Sequence, residues 1–212
     1  MHKNVINLNN IKKEINSKHS KNVSNLKIIA VSKTFGMNDI LPLIDSGHLD
    51  FGENKVQEAV EKWSQIKSIN NDIKLHMVGK LQTNKVKNAV RLFDYIHSLD
   101  SIKLAKKISE EQKKINKKIK IFIQINLGNE DQKNGIKINE LSEFYQNCKL
   151  NLELDIVGLM CLPPMDKDPS SYFSTMENEA KNLSLKELSM GMSSDYLTAL
   201  EYNASYLRIG SK

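Results

Sequence analysis

The chain has only two cysteines, Cys148 and Cys161, in 212 residues. They do not form a Cys-x-x-Cys pair, and two are too few for a disulfide framework. Both read as reduced, small hydrophobes. No stretch approaches the roughly 20 apolar residues that cross a bilayer. The first ten residues lack the apolar core of a signal peptide, so the expected address is the cytoplasm, with no membrane partner. The five histidines show no His-x-x-x-His spacing, which argues against a metal site. Net charge is +6, but the lysines are scattered and no aromatic residues interleave to stack bases. A dedicated nucleic-acid function is therefore not expected. Arginine is scarce. Of 31 basic residues only Arg91 and Arg208 are arginine, which hints that a planar, permanently charged group is needed there.

What remains is an ordinary globular composition, 40% hydrophobic and 26% charged, of a length that suits one domain spanning 1–212. Strand-like runs recur at 26–31, 48–51, 74–78, 95–99, 119–127, 154–160, 187–190 and 206–209. Helix-like segments lie between them, one opening at Asn38-Asp39 and stopped by Gly47. Trp63 falls in another, as a core anchor. An apolar stripe at Val5, Leu8, Ile11 and Ile15 adds a helix ahead of the first strand. Alternating strands and helices mean βαβ units and a parallel sheet. Eight such strands favour a single closed (β/α)8 barrel of the TIM type, with the extra N-terminal helix covering the seam near the last strand. No Gly-x-Gly-x-x-Gly follows the first strand, so a dinucleotide fingerprint is absent.

In such a barrel the active face lies at the carboxyl ends of the strands. The first strand ends in Ser32-Lys33-Thr34. A lysine after four apolar residues reads as a partly desolvated amine, nucleophilic toward an aldehyde. The second strand ends in Gly52-Glu53-Asn54. The seventh ends in Ser189-Met190-Gly191-Met192-Ser193, and the eighth in Arg208-Ile209-Gly210-Ser211. These last two ends supply small residues, hydroxyls and free N–H groups, where this fold usually holds a phosphate. A helix starting near Ser194 would point its positive end at the anion. Arg208 shares its side-chain direction with Gly210 and points into the mouth. Together these features predict a phosphate-bearing aldehyde as ligand.

The stretches Ala30-Val-Ser-Lys-Thr34, Phe51-Gly-Glu-Asn-Lys-Val-Gln-Glu58, His76-Met-Val-Gly-Lys-Leu-Gln-Thr-Asn-Lys85, Leu188-Ser-Met-Gly-Met-Ser193 and Leu207-Arg-Ile-Gly-Ser211 carry a family resemblance. The chain resembles the pyridoxal phosphate homeostasis proteins, relatives of the N-terminal barrel of alanine racemase. The resemblance implies pyridoxal 5′-phosphate held as a Schiff base on Lys33. Ser189, Gly210 and Ser211 match phosphate-loop positions, and Arg208 matches the arginine near the ring nitrogen. Asn54 and Met190 sit in motifs that line the site. The implied function is intracellular vitamin B6 homeostasis, without robust turnover, in a protein that buffers the cofactor or delivers it to apo-enzymes, and a small closed barrel suggests a monomer. No catalytic residue is established by it. Two positions depart from the family pattern. Phe35 stands where a second lysine is common, and the sequence stops at Lys212, short of a usual further segment. Lys133 is a candidate secondary lysine or a solvated loop charge. An amino-acid racemase or lyase is the competing reading, with Lys33 as one base and His76, Tyr172 or Tyr196 as another. A third is an interaction protein using its basic surface.

Overall fold

In the computed structural model, which describes residues 1–18, 25–128 and 134–210, the strand-like runs become eight parallel strands. These are β1 (Lys27–Val31), β2 (Asp50–Glu53), β3 (Lys74–Met77), β4 (Tyr95–Leu99), β5 (Lys120–Ile125), β6 (Asp155–Cys161), β7 (Glu187–Met192) and β8 (Tyr206–Ile209). They close in sequence order, with β8 pairing back onto β1. Helix α1 (Lys3–Lys18) precedes them. Between strands run α2 (Met37–Asp45), α3 (Val56–Ile69), α4 (Val86–Leu92), α5 (Ile102–Ile115), α6 (Ile138–Gln146), α7 (Ser170–Asn182) and α8 (Tyr196–Glu201). The predicted (β/α)8 barrel is the observed fold.

Several element ends differ from expectation, most at α2 and β2. Helix α2 starts after Gly36, so Asn38 and Asp39 lie within its first turn and do not cap it. At its far end Gly47 adopts φ +85°, His48 N–H bonds Leu43 O at 3.0 Å and Gly47 N–H bonds Ile44 O at 2.9 Å. This pair of bonds is the Schellman ending that a left-handed glycine permits. It engages the backbone of His48 with the helix, so β2 begins at Asp50 instead of 48.

Side chains alternate across each strand. Ile28, Phe51, Leu75, Ile96, Ile121, Leu159, Leu188 and Leu207 face outward and pack under the helices. Ile29, Phe122, Met160 and Tyr206 fill the lumen, joined by Val31, Tyr95 and Val157. Helix α1 buries Val5, Leu8, Ile11 and Ile15. Leu8 and Ile11 share a cleft with Ile28, Ala30 and Ile209, so α1 lies over the seam between β8 and β1. The Tyr196 hydroxyl of α8 donates to Glu14 of α1 and ties that cover down.

The ends of β1 and β2 are held by Glu53, which is wholly buried. Its Oε1 accepts from Ser32 Oγ at 2.8 Å, Lys62 Nζ at 2.9 Å and Trp63 Nε1 at 2.9 Å. Lys62 Nζ also donates to Ser32 O at 2.7 Å. One carboxylate thus joins two strand ends to α3, beside Lys33. Trp63 is the buried anchor expected of it, with a polar duty as well.

A buried carboxylate that loses its cation is strongly destabilising. Lys62→Met should therefore lower the unfolding free energy by about 3 kcal/mol, read from urea melts. The double variant Lys62→Met with Glu53→Gln should recover part of that loss. A single variant as stable as the parent would show that Lys62 does not compensate Glu53.

At the other end of β2, His48 Nε2 lies 2.9 Å from Asp50 O. Burial pushes this imidazole down to about 4, against the smaller raising effect of Asp50. The folded state keeps His48 neutral where the unfolded chain would be protonated. Stability is fully present above the ordinary histidine value of about 6.5 and falls as pH drops toward 4. The loss is on the order of 3 kcal/mol. Urea melts at neutral and mildly acidic pH should show this slope, and His48→Gln should flatten it. Equal slopes in the two proteins would place the pH sensitivity elsewhere.

Candidate functional site

The mouth at the carboxyl ends of the strands gathers Lys33, Asn54, Arg208, Gly210 and the loop after β7. Gly52 faces this region from β2. A Cβ added there would come 2.8 Å from Ile29 Cγ2 and 3.5 Å from both Val31 and Val78, so the glycine keeps the lumen clear. The chain turns sharply after β3 because Gly79 crosses the backbone of Asn54, where an added Cβ would lie 2.3 Å from Asn54 O. Asn54 is half-buried at this crossing.

Lys33 is exposed. The expectation of a partly desolvated amine therefore does not match its position. The reason is local: β1 ends at Val31, Ser32 turns outward onto Glu53, and Lys33 enters a turn beyond the packed layer. It stands at the rim, reachable from solvent.

Arg208 is the opposite case, 5% exposed and inward-facing on β8. Its Nη1 donates to Ser189 O and Ser189 Oγ, each at 2.6 Å, and Nη2 donates to Cys161 O at 2.8 Å. Among the described residues no carboxylate lies within ion-pair distance of it. Burial lowers its affinity for its proton, and Asp195, not in contact, opposes that at a distance. A guanidinium has five N–H donors. Three are taken, which leaves two for a ligand among the described residues. A buried cation without a counter-charge fits an anionic or lone-pair acceptor in the mouth. Arg91, by contrast, is an exposed residue of α4, so scarcity of arginine marked one position and not the other.

Gly210, straight after β8, lies against the loop after β7. Gly191 adopts φ +91°, and a Cβ there would lie 2.7 Å from Ala199 Cβ. Gly210 N–H points at Ser193 Oγ at 3.4 Å. Asp195 Oδ1 accepts from Met192 N–H at 2.6 Å, so an acid stands at the start of the six-residue α8. Ser211 and Lys133 lie outside the described residues.

Two expected site residues are placed differently. Met190 faces outward into the layer under the helices and is wholly buried, so its side chain does not line the mouth. Ser189 faces the lumen and is also wholly buried, with its hydroxyl between Arg208 and His97. It sits with the arginine, apart from the loop glycines. Strand alternation separates the two neighbours. Their shared motif obscured this.

The suggested second bases fare similarly. His76 is wholly buried in the lumen. Tyr196 is bound to α1 through Glu14, and Tyr172 belongs to the outer helix α7. Sequence reasoning missed His97, whose position on β4 one residue after outward-facing Ile96 is the signal that could have found it. Burial pushes the Cys161 and Cys148 thiols up to about 12, which leaves both unreactive.

The model of the alanine racemase N-terminal domain family matches residues 6–212. The pyridoxal phosphate homeostasis protein of Pasteurella multocida is 33% identical over 198 residues, covering 89% of this chain and 85% of its own. That of Aquifex aeolicus is 34% identical over 194 residues, covering 87% and 84%. PipY of Synechococcus elongatus, solved with PLP bound, is 31% identical with a TM-score of 0.84, covering 94% of this chain and 97% of that one. Alanine racemase of Clostridium difficile shares the fold alone, at 17% identity and a TM-score of 0.75 over 55% of its length. The chain belongs to the family of pyridoxal phosphate homeostasis proteins, built on the alanine racemase N-terminal barrel.

Proposed function

We propose that this barrel, as one unit spanning 1–212, binds pyridoxal 5′-phosphate and acts in intracellular vitamin B6 homeostasis. The observation that carries the reading is Arg208, a buried cation with no carboxylate beside it among the described residues and donors left over, at the mouth of the barrel. PipY, similar over nearly the whole chain, has been solved with PLP bound. The cofactor, when bound, supplies an aldehyde for an amine and a ring that can withdraw electrons. Lys33 Nζ is the amine that holds the aldehyde, at a rim open to arrival and departure. Gly210 and the loop Gly191 to Ser193 would hold the phosphate, with the Met192 N–H released from Asp195, and the family resemblance gives Ser211 the same role. Asn54 lines the wall between β2 and β3. Arg208 presents a permanent cation to the ring nitrogen, which disfavours its protonation and weakens the ring as an electron sink.

This arrangement suits holding and handing on cofactor better than turnover. Racemisation needs proton-transfer groups on both faces. His76 and Tyr196 are engaged in contacts elsewhere, and Lys33 is exposed. The recipients in this reading are apo-enzymes that require the cofactor, and the compartment is the cytoplasm. Among the described residues no helix is long and apolar enough to cross a membrane.

Borohydride reduction after incubation with pyridoxal phosphate tests the reading. The wild type should gain one reduced pyridoxyl group, found by peptide mass spectrometry on Lys33. Lys33→Ala should remain folded and gain none at the site. A wild type that takes up no cofactor would overturn the proposal, and labelling equal in both proteins would move the amine to another lysine.

A further inference from the structure

The lumen beneath Arg208 contains an unbroken line of polar side chains, unusual in a barrel core that branched aliphatics commonly fill. Ser189 Oγ lies 2.8 Å from His97 Nδ1. His97 Nε2 lies 3.0 Å from His76 Nδ1. His76 Nε2 lies 3.1 Å from Asp50 Oδ1. His76, His97 and Ser189 are wholly buried, and Asp50 is the first residue of β2, at the opposite end of the barrel from the mouth.

The direction of every bond follows from the Asp50 end together with the neutrality of the two buried imidazoles, whose proton affinity burial lowers. A guanidinium can only donate, and a carboxylate can only accept. Arg208 Nη1 donates to Ser189 Oγ, and with both imidazoles neutral the Ser189 proton goes to His97 Nδ1. His97 then carries its proton on Nε2 and gives that bond to His76 Nδ1. His76 in turn carries its proton on Nε2 and donates to Asp50. Both imidazoles are neutral, each in one tautomer. Burial lowers the proton affinity of both, outweighing the opposing effect of Asp50 on His76, and the Arg208 charge lowers that of His97 further. The ring planes are fixed by stacking. His76 lies on Tyr95 at 4.4 Å and 15°, and His97 lies on Phe122 at 4.3 Å and 14°.

We infer that Ser189, His97, His76 and Asp50 form a one-way hydrogen-bond chain that positions the Arg208 guanidinium at the floor of the cofactor site, with His97 as its central positioning residue. The inference rests on the pyridoxal phosphate reading for what Arg208 faces, but the chain itself is a property of the free protein. Arginine keeps its proton at all ordinary pH values, so the chain delivers no proton to the mouth. Its effect is on the angle and rigidity of a fixed charge. A ligand ring at Arg208 then meets a donor whose orientation is set from the far end of the barrel.

The free protein gives the first test. With only two arginines, specific ¹⁵N-arginine labelling yields two side-chain Nε signals. ¹⁵N-histidine spectra should show His76 and His97 neutral with the proton on Nε2 across neutral pH. A cationic His97, or one protonated on Nδ1, overturns the chain. His97→Phe removes both bonds while keeping an aromatic ring, and should raise the exchange rate of the Arg208 Nε–H about tenfold or more. His97→Gln can accept from Ser189 and donate to His76, and should restore slow exchange. A Phe variant with parental exchange overturns the positioning role.

Should His97→Phe fail to fold, Asp50→Asn serves, because Asp50 is partly exposed and distant from the mouth. It should shift the His97 and Arg208 signals without touching either residue. Unchanged signals would overturn the coupling. With pyridoxal phosphate added, His97→Phe should shift the absorption band of the bound cofactor and weaken its binding by about tenfold, and His97→Gln should recover both. If the wild type takes up no cofactor, the functional reading falls while the tautomer and exchange measurements still decide the chain.

Discussion

A guanidinium buried in the barrel, with no carboxylate against it among the described residues, is the constraint around which the interior is organised. Such a charge is costly to desolvate, and it persists only where hydrogen bonds replace the lost water. Here two backbone carbonyls, from Ser189 and Cys161, and one hydroxyl do so. The carbonyls lie on β7 and β6, so Arg208 on β8 also laces three consecutive strands together. A direct carboxylate partner would have been a better stabiliser and a worse ligand site. The solution found keeps the charge in place and leaves donor capacity at the mouth.

The rest of the lumen follows from that choice. Once Ser189 accepts from Arg208, its proton needs an acceptor, and a polar group must sit on β4. His97 meets the need, creates the same need at its other nitrogen, and passes it to His76 on β3. The sequence of obligations ends only at a group that accepts without donating and can reach water, which is Asp50. Buried polar groups are tolerated when every member is satisfied. Aromatic neighbours Tyr95, Phe122 and Tyr206 supply the apolar surface around these polar edges. Burial also holds the Tyr206 hydroxyl protonated well above its ordinary range, aided by its bond with Tyr95.

Much of this was legible in one dimension. The eight strands were visible because each carries a short apolar run, and the barrel followed from their count. Arg208 was legible as inward-facing because the period-two rule relates it to Gly210. The same rule, applied to Ser189 and Met190, would have parted them, but their motif suggested a shared role. Lys33 was misplaced for a different reason. Its apolar approach, Ile28 to Val31, told of the strand and not of the turn that follows it. The start of β2 was hidden because His48 and Leu49 look like strand while the Schellman ending of α2 claims the backbone of His48. Strand alternation could have turned His97 inward, but the contacts of the lumen chain were not legible in the sequence. Asp50, His76, His97, Ser189 and Arg208 span five strands, and only closure of the sheet makes them neighbours.

Rim and floor of the site are therefore built on opposite physical terms. At the floor, Arg208 is immobilised by bonds on several sides, and its charge cannot be given up. At the rim, Lys33 is free of the packed core, although the strand end that carries it is clamped by Glu53, Lys62 and Trp63 one residue away. In the proposed reading, a fixed anchor with an accessible amine suits capture and release of the cofactor. An enzyme that must move protons on both faces of a ring needs the reverse, with its amine enclosed and its bases aligned. The contrast between Arg208 and Lys33 in burial thus bears on function more directly than either residue's identity.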